Sequence, residues 1–146
     1  MKKTIKTLVV LASLVSVAAE ADCVKVAEAN LRKGPGTQHE KSWVVYKYMP
    51  LKQISKDGSW FQVKDVDGDK HWVFSKLLTD EYQCAVVKVE KANVRSGPGI
   101  GNAVAPLGLV ERYYAFKVIS EQSGWVEVED EMKNHGWISK SLVWVN

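Results

Sequence analysis

The sequence contains itself twice. Ala29-Asn30-Leu31-Arg32-Lys33-Gly34-Pro35-Gly36 returns as Ala92-Asn93-Val94-Arg95-Ser96-Gly97-Pro98-Gly99, 63 positions further on. Upstream, Val24-Lys25-Val26 matches Val87-Lys88-Val89 at the same offset. Downstream the offset becomes 65: Tyr48, Lys52, Ile54, Ser55, Trp60, Val63 and Trp72 fall on Tyr113, Lys117, Ile119, Ser120, Trp125, Val128 and Trp137. The second copy therefore carries two extra residues between Gly99 and Tyr113. A period of about 60 residues is too long for small solenoid units and fits two complete small domains in tandem. A domain of that size buries only about 60% of its unfolded surface, so each copy gains from a neighbour or a covalent tie.

The chain begins like an export signal. Lys2, Lys3 and Lys6 precede an apolar run from Leu8 to Ala19, and Ala19-Glu20-Ala21 offers small residues to a signal peptidase. Cleavage is expected after Ala21, with Val17-Ala18-Ala19 as an alternative site. The apolar run of about 12 residues falls short of the roughly 20 that a spanning helix needs. Asp22, directly before Cys23, does not fit a lipobox. The expected product is exported, periplasmic or secreted, with no integral membrane segment after processing. Removal of the leader takes away +2 of the formal net charge of +3. The remainder has no clustered basic face of the kind that binds nucleic acid.

Export decides how Cys23 and Cys84 are read. They are the only two cysteines, and an oxidising compartment favours a bridge between them. A Cys23–Cys84 disulfide would tie the start of one domain to the start of the other. The competing reading is a catalytic thiol served by His39, His71 or His135, which needs a thiolate beside a base. No further catalytic signature accompanies it. The three histidines are unrepeated and lack ligand spacing, so neither a metal nor a cofactor is expected.

Within each copy, hydrophobic alternation and turn residues predict five short strands: 24–26, 43–48, 53–55, 60–64 and 71–73 in the first. A single helical turn is expected at 74–78 and at 139–143. The fold class is all-β, two small and strongly bent barrels in tandem. The expected division is a signal peptide over 1–21, a first domain over 22–79, a linker over 80–84 and a second domain over 85–146. In Asn-x-Arg-x-Gly-Pro-Gly, Gly34 and Gly36 permit positive φ and Pro35 fixes φ near −65°, which reverses the chain after the first strand. Asn30 can hydrogen-bond the backbone two residues on. Arg32 and Arg95 read either as clamps on this loop or as anion contacts for a ligand.

A first strand, then Ala-Asn-x-Arg-x-Gly-Pro-Gly, a Gly/Ser-Trp-x-x-Val strand and a closing Trp-Val/Ile-x-x-x-x-Leu/Val turn resembles the bacterial SH3-like domain, SH3b, in both copies. The resemblance implies an SH3-like barrel from exported or cell-wall-associated proteins, where such domains usually accompany a peptidoglycan peptidase or amidase. Residues 22–146 are filled by the two copies and their linker, so a non-enzymatic binding module is expected. Leu77 and Leu142 stand where a groove tyrosine of the eukaryotic relatives would be, so proline-rich peptides are not the expected ligand.

Period-two alternation places Val126 and Val128 on one face and Trp125 and Glu127 on the other, as it sets Phe61 and Val63 against Trp60 and Gln62. The tryptophans are either contact platforms or are covered by the loops after Gly36 and Gly99. Ligand-binding candidates are Trp60, Gln62, Arg32 and Tyr48 with their repeats Trp125, Glu127, Arg95 and Tyr113, although repeated tyrosines also suit a core. Trp72 and Trp137 are expected in the core. The expected partner of the chain, a monomer, is peptidoglycan or its stem peptides. The alternative is an envelope protein, with the chain acting as a periplasmic adaptor or inhibitor through the same surfaces.

Overall fold

A computed structural model describes residues 21–146. The leader and its cleavage motif lie almost wholly outside those residues. The first copy forms β1 (Ala21–Val24), β2 (Glu28–Arg32), β3 (Lys41–Tyr46), β4 (Pro50–Asp57), β5 (Trp60–Lys64), β6 (Lys70–Phe74), a 3-10 turn (Ser75–Leu77) and β7 (Leu78–Thr79). The second forms β8 (Cys84–Val87), β9 (Lys91–Arg95), β10 (Val104–Glu111), β11 (Ala115–Gln122), β12 (Trp125–Glu129), β13 (His135–Ser139), a 3-10 turn (Lys140–Leu142) and β14 (Val143–Val145). The strand orders are β3-β2-β6-β5-β4-β1-β7 and β10-β9-β13-β12-β11-β8-β14, one topology used twice. Each copy thus has seven strands where the sequence predicts five. The additions include β2, since Ala29–Arg32 is extended before the reversal starts, and short closing strands after the 3-10 turns.

Alternation builds each core from one side of its strands. Leu31, Val45, Leu51, Val63 and Val73 are fully buried in the first barrel, as are Val94, Phe116, Val126, Val128 and Ile138 in the second. The register slips between Gln53 and Ser55 against β5, and between Val118 and Ser120 against β12. These are equivalent positions. A bulge there lets two residues of the long strand oppose one of its partner and increases the local bend, which helps so few residues wrap a core.

The first strands depart from expectation in an informative way. β1 ends at Val24, short of Lys25-Val26, and each cysteine lies within its strand rather than ahead of it. Every residue of β8 is buried. Ala85 and Val87 enter the second core, Val86 enters the first, and Cys84 meets Cys23 in a disulfide with Cα atoms 6.0 Å apart. One strand of the second barrel thereby packs its other face against the first core. Tyr48 and Tyr82 cover the disulfide, and Asn146 brackets it, accepting from the Cys84 N–H at 2.8 Å and reaching Cys23 Sγ with its own amide at 3.1 Å.

Tyr48 and Tyr113 precede β4 and β11 in the left-handed region, both at φ 71°, a conformation that costs a side-chain-bearing residue roughly 1–2 kcal/mol. Their N–H groups bond the carbonyls of Val24 and Val87, which locks the turn to the first strand. Trp72 and Trp137 are a correction. They are half-buried and outside both cores, because His71 and Val73, or Gly136 and Ile138, take the inward positions beside them.

Gly136 occupies the place that His71 holds in the first copy. A Cβ there would collide with Val94 Cγ1 and sit 3.1 Å from the Arg95 carbonyl. Gly136→Ala is expected to cost about 1–3 kcal/mol by overpacking, measured by urea denaturation. Replacing both cysteines by serine should lower stability by about 4 kcal/mol on the chain-entropy account. An unshifted denaturation midpoint in the double serine variant would mean that the shared strand alone holds the two barrels.

Candidate functional site

A groove lies on the first barrel, on the outer face of β2, β5 and β6. Period two puts Glu28, Asn30 and Arg32 on one side of β2, Trp60 and Gln62 on that side of β5, and Trp72 and Phe74 on that side of β6. The pairings Trp60↔Phe74, Gln62↔Trp72 and Arg32↔Trp72 bring them together. Trp60 and Phe74 meet with ring centroids 5.8 Å apart at an interplanar angle of 45°. Glu28, Asn30 and Arg32 form one wall, Leu77 of the 3-10 turn closes an end, and the loop from Pro35 to Gln38 forms the other side.

That loop is held by Arg32. Its Nη1 donates to the His39 carbonyl at 2.8 Å and to the Thr37 carbonyl at 3.2 Å. Arg95 does the same in the second copy, donating to the Asn102 carbonyl at 3.0 Å. The clamp reading of these arginines is therefore the geometry observed. Lys33 and Glu40 pair at 2.8 Å across the base of the loop, and the lysine holds the Glu40 carboxyl below its ordinary pKa, chiefly through that hydrogen bond. Of the two glycines, Gly36 has the positive φ, 153°. Gly34 is required for a different reason, since a Cβ on it would lie 2.5 Å from the His39 ring. Asn30 does not bond the backbone as expected: it sits within β2, and its side-chain oxygen is buried with no hydrogen-bond partner among the described residues.

The other candidates scatter. Gln62 and Glu127 lie on the groove face, but each accepts a hydrogen bond from a serine of the adjacent strand, Ser55 at 2.9 Å and Ser120 at 2.7 Å. Tyr48 is buried against the disulfide. Tyr113 leaves the groove face altogether. It crosses to the first barrel, where its hydroxyl donates to Asp67 Oδ2 at 2.6 Å, beside Arg112 on Asp67 Oδ1 at 3.0 Å, and its ring meets Trp43 edge-on at 5.1 Å. Donation to Asp67, first of all, raises the Tyr113 phenol above its ordinary pKa. Sequence reasoning missed Phe74 and Trp72. The signal was the same alternation that placed Trp60.

The equivalent face of the second barrel is not a copy. Glu28, Thr37, Gln38 and Phe74 correspond to Lys91, Ile100, Gly101 and Ser139. Trp125 thus faces a serine across the strands where Trp60 faces a phenylalanine, and the acidic wall residue becomes basic.

A second constellation lies nearby. His71 Nδ1 is 2.6 Å from Ser42 Oγ and its Nε2 is 2.9 Å from Asp65 Oδ2. These are the members of a hydrolytic triad, yet the wiring is inverted, since in that template serine meets Nε2 and the carboxylate meets Nδ1. Asp65 Oδ1 accepts from the N–H groups of Asp67 and Asp69, both at 2.9 Å. The arrangement anchors the β5–β6 turn to β3 and so positions Asp67 for Tyr113 and Arg112. A catalytic thiol is ruled out while the disulfide is formed, because both cysteines are consumed in it. Among the described residues no helix is long and apolar enough to cross a membrane.

Residues 27–79 match one family model described as a bacterial SH3 domain, and residues 88–145 match a second model of the same description. The Bacillus subtilis (strain 168) protein named Putative N-acetylmuramoyl-L-alanine amidase YrvJ is 29% identical over 126 residues, which span 80% of this chain and 24% of that protein. The chain therefore spans about a quarter of that relative. Among solved structures, an NlpC/P60 family protein from Bacillus cereus aligns over 87% of this chain and 56% of its own at 12% identity, TM-score 0.40. Another, named Endolysin LysPBC5 CBD, aligns over 88% of this chain and 94% of its own at 17% identity, TM-score 0.36.

Arg32→Ala should leave the Thr37 and His39 carbonyls without their charged donor, at a cost of about 1–2 kcal/mol. Hydrogen exchange would read this as faster exchange confined to residues 34–40. Uniform acceleration across β2–β6 instead would show that the arginine holds the barrel and not the loop.

Proposed function

Because the chain belongs to the bacterial SH3 domain family, with one such domain in each half, we propose that it is a non-enzymatic exported module that engages peptidoglycan. The stem peptides enter the Trp60/Phe74 groove. The groove itself is the observation that supports this reading: two aromatic faces and a loop fixed by Arg32. An extended peptide offers flat surfaces for the rings, and a preformed loop lowers the ordering cost of binding. Within this reading the signal peptide covers 1–21, the domains cover 22–79 and 85–146, and residues 80–84 link them. The Cys23–Cys84 disulfide suits an oxidising compartment, periplasmic or extracellular.

Trp60, Arg32 and Gln62 carry the first site, with Phe74 added. Trp125, Arg95 and Glu127 carry a second, of different selectivity because Ser139 and Lys91 replace Phe74 and Glu28. Two weak sites gain by avidity when one polymer can reach both. A specific observation favours a protein partner as the second reading. Ile100, Val104 and Leu109 are 81%, 50% and 57% exposed along the loop and edge strand of the second barrel, an apolar run of the kind adaptors and inhibitors present.

Co-sedimentation of the purified chain with isolated peptidoglycan sacculi tests the proposal. Wild type is expected to pellet, and Trp60→Ala to weaken binding about thirtyfold, in line with the 2 kcal/mol or so that an aromatic anchor supplies. Trp60→Ala/Trp125→Ala together should abolish pelleting while the disulfide and the β-sheet circular dichroism remain. A wild type that stays in the supernatant at every salt concentration would end the wall reading.

A further inference from the structure

The junction between the barrels holds a crevice that neither copy contains alone. Tyr46 comes from the end of β3, Glu111 from the end of β10, Tyr113 and Tyr114 from the turn joining β10 to β11, and Asp130 and Glu131 from the turn after β12. Tyr46 is 61% exposed and Tyr114 41%, a large open area for aromatic rings at a domain junction. Nothing in the groove mechanism uses them.

The charges around the rings are unequal in their commitments. Lys47 and Arg112 also line the crevice, but both are engaged. Arg112 pairs with Asp67 at 3.0 Å and lies 5.3 Å from the Tyr113 ring, while the Lys47 ammonium sits 5.4 Å from the Tyr48 ring. Asp130 is spent on its own turn, accepting from the Asn134 N–H at 2.9 Å and the Asn134 side-chain amide at 3.0 Å. Glu111 and Glu131 make no ion pair among the described residues and are exposed. The field they leave is negative. The Tyr114 phenol is raised above its ordinary pKa, first by burial, then by the charge and hydrogen bond of Asp130, and last by Glu131.

Tyrosine faces beside unpaired carboxylates recognise cations, since the ring quadrupole and the carboxylate both attract positive charge. A phosphate or carboxylate ligand would meet Glu111 and Glu131 with like charge. A neutral sugar could stack on the rings but would leave both carboxylates without a countercharge. A bare metal ion finds no group of three ligating side chains among the described residues. An ammonium on an aliphatic stem satisfies both halves, its methylenes lying on the rings and its N–H groups donating to the carboxylates.

We propose that the interdomain crevice binds the free side-chain ammonium of a diamino acid residue in a peptide, between Tyr46 and Tyr114 and against Glu111 and Glu131. This deepens the wall-peptide reading and rests on it for the source of that peptide. It gives the chain a means to distinguish peptides whose side-chain amine is free from those whose amine is already acylated in a cross-link.

The test is a titration of the full, disulfide-bonded, isotope-labelled chain with two blocked tetrapeptides, N-acetyl-Ala-Glu-Lys-Ala amide and the same peptide acetylated at the lysine side chain. Amide resonances of residues 46–47, 111–115 and 130–131 report the crevice. The free-amine peptide is expected to shift them, and the acetylated one to bind about tenfold more weakly, the loss of one cation–π and charge-assisted contact. Glu131→Gln, on an exposed turn and so without risk to folding, should weaken the free-amine peptide several-fold and leave the acetylated one unchanged. Equal binding of the two peptides, or shifts confined to Trp60, Phe74 and the 34–40 loop, would overturn the proposal. The two readings fail separately. A chain that ignores sacculi yet discriminates the free amine loses the wall reading and keeps the crevice, and one that pellets without discriminating loses the crevice alone.

Discussion

The arrangement of this molecule depends on β8 having two inner faces. A strand at the start of a small barrel ordinarily buries one side, and its alternation shows it. Cys84-Ala85-Val86-Val87 is buried throughout because the first barrel lies against the side that the second does not use. The burial lets two cores, each too small to be comfortably stable alone, share apolar surface. It also brings the start of β8 onto β1, where a disulfide can close without moving either backbone.

Once the strand is shared, the rest of the interface follows. The β10–β11 turn is carried to the first barrel, and Tyr113 and Arg112 both find Asp67 there. Asp67 is ready to receive them because Asp65, bridged by His71 to Ser42, has already fixed the turn on which it stands. This explains why His71 and Ser42 have no repeat. In the second copy the matching turn is held instead by Asn134 on Asp130, and glycine stands at the position of His71 under the pressure of Val94 and Ala105.

The duplication, the all-β class, the barrels and the facing of Trp60 and Trp125 were legible in the sequence because they follow from local period and turn chemistry. Trp72 and Trp137 were misplaced by their size and repetition, although alternation with Val73 and Ile138 pointed outward. What could not be read is where two identical residues meet different surroundings. Tyr48 and Tyr113 share a repeat position and a φ of 71°, yet one is sealed against the disulfide and the other reaches across to a carboxylate. No local pattern distinguishes them, since the difference is made by the neighbouring domain. The crevice is hidden for the same reason, being assembled from segments of both copies.

The several ties between the barrels also change what kind of reader this pair can be. Domains on a loose tether accept targets at many separations and average over them. Here a bridge of sulfur, a strand buried on both faces and the Asp67 contact hold two dissimilar faces at one separation and one angle. Under the proposed wall-binding function such a pair works as a caliper: along a polymer it reports not only which groups are present but how far apart they stand.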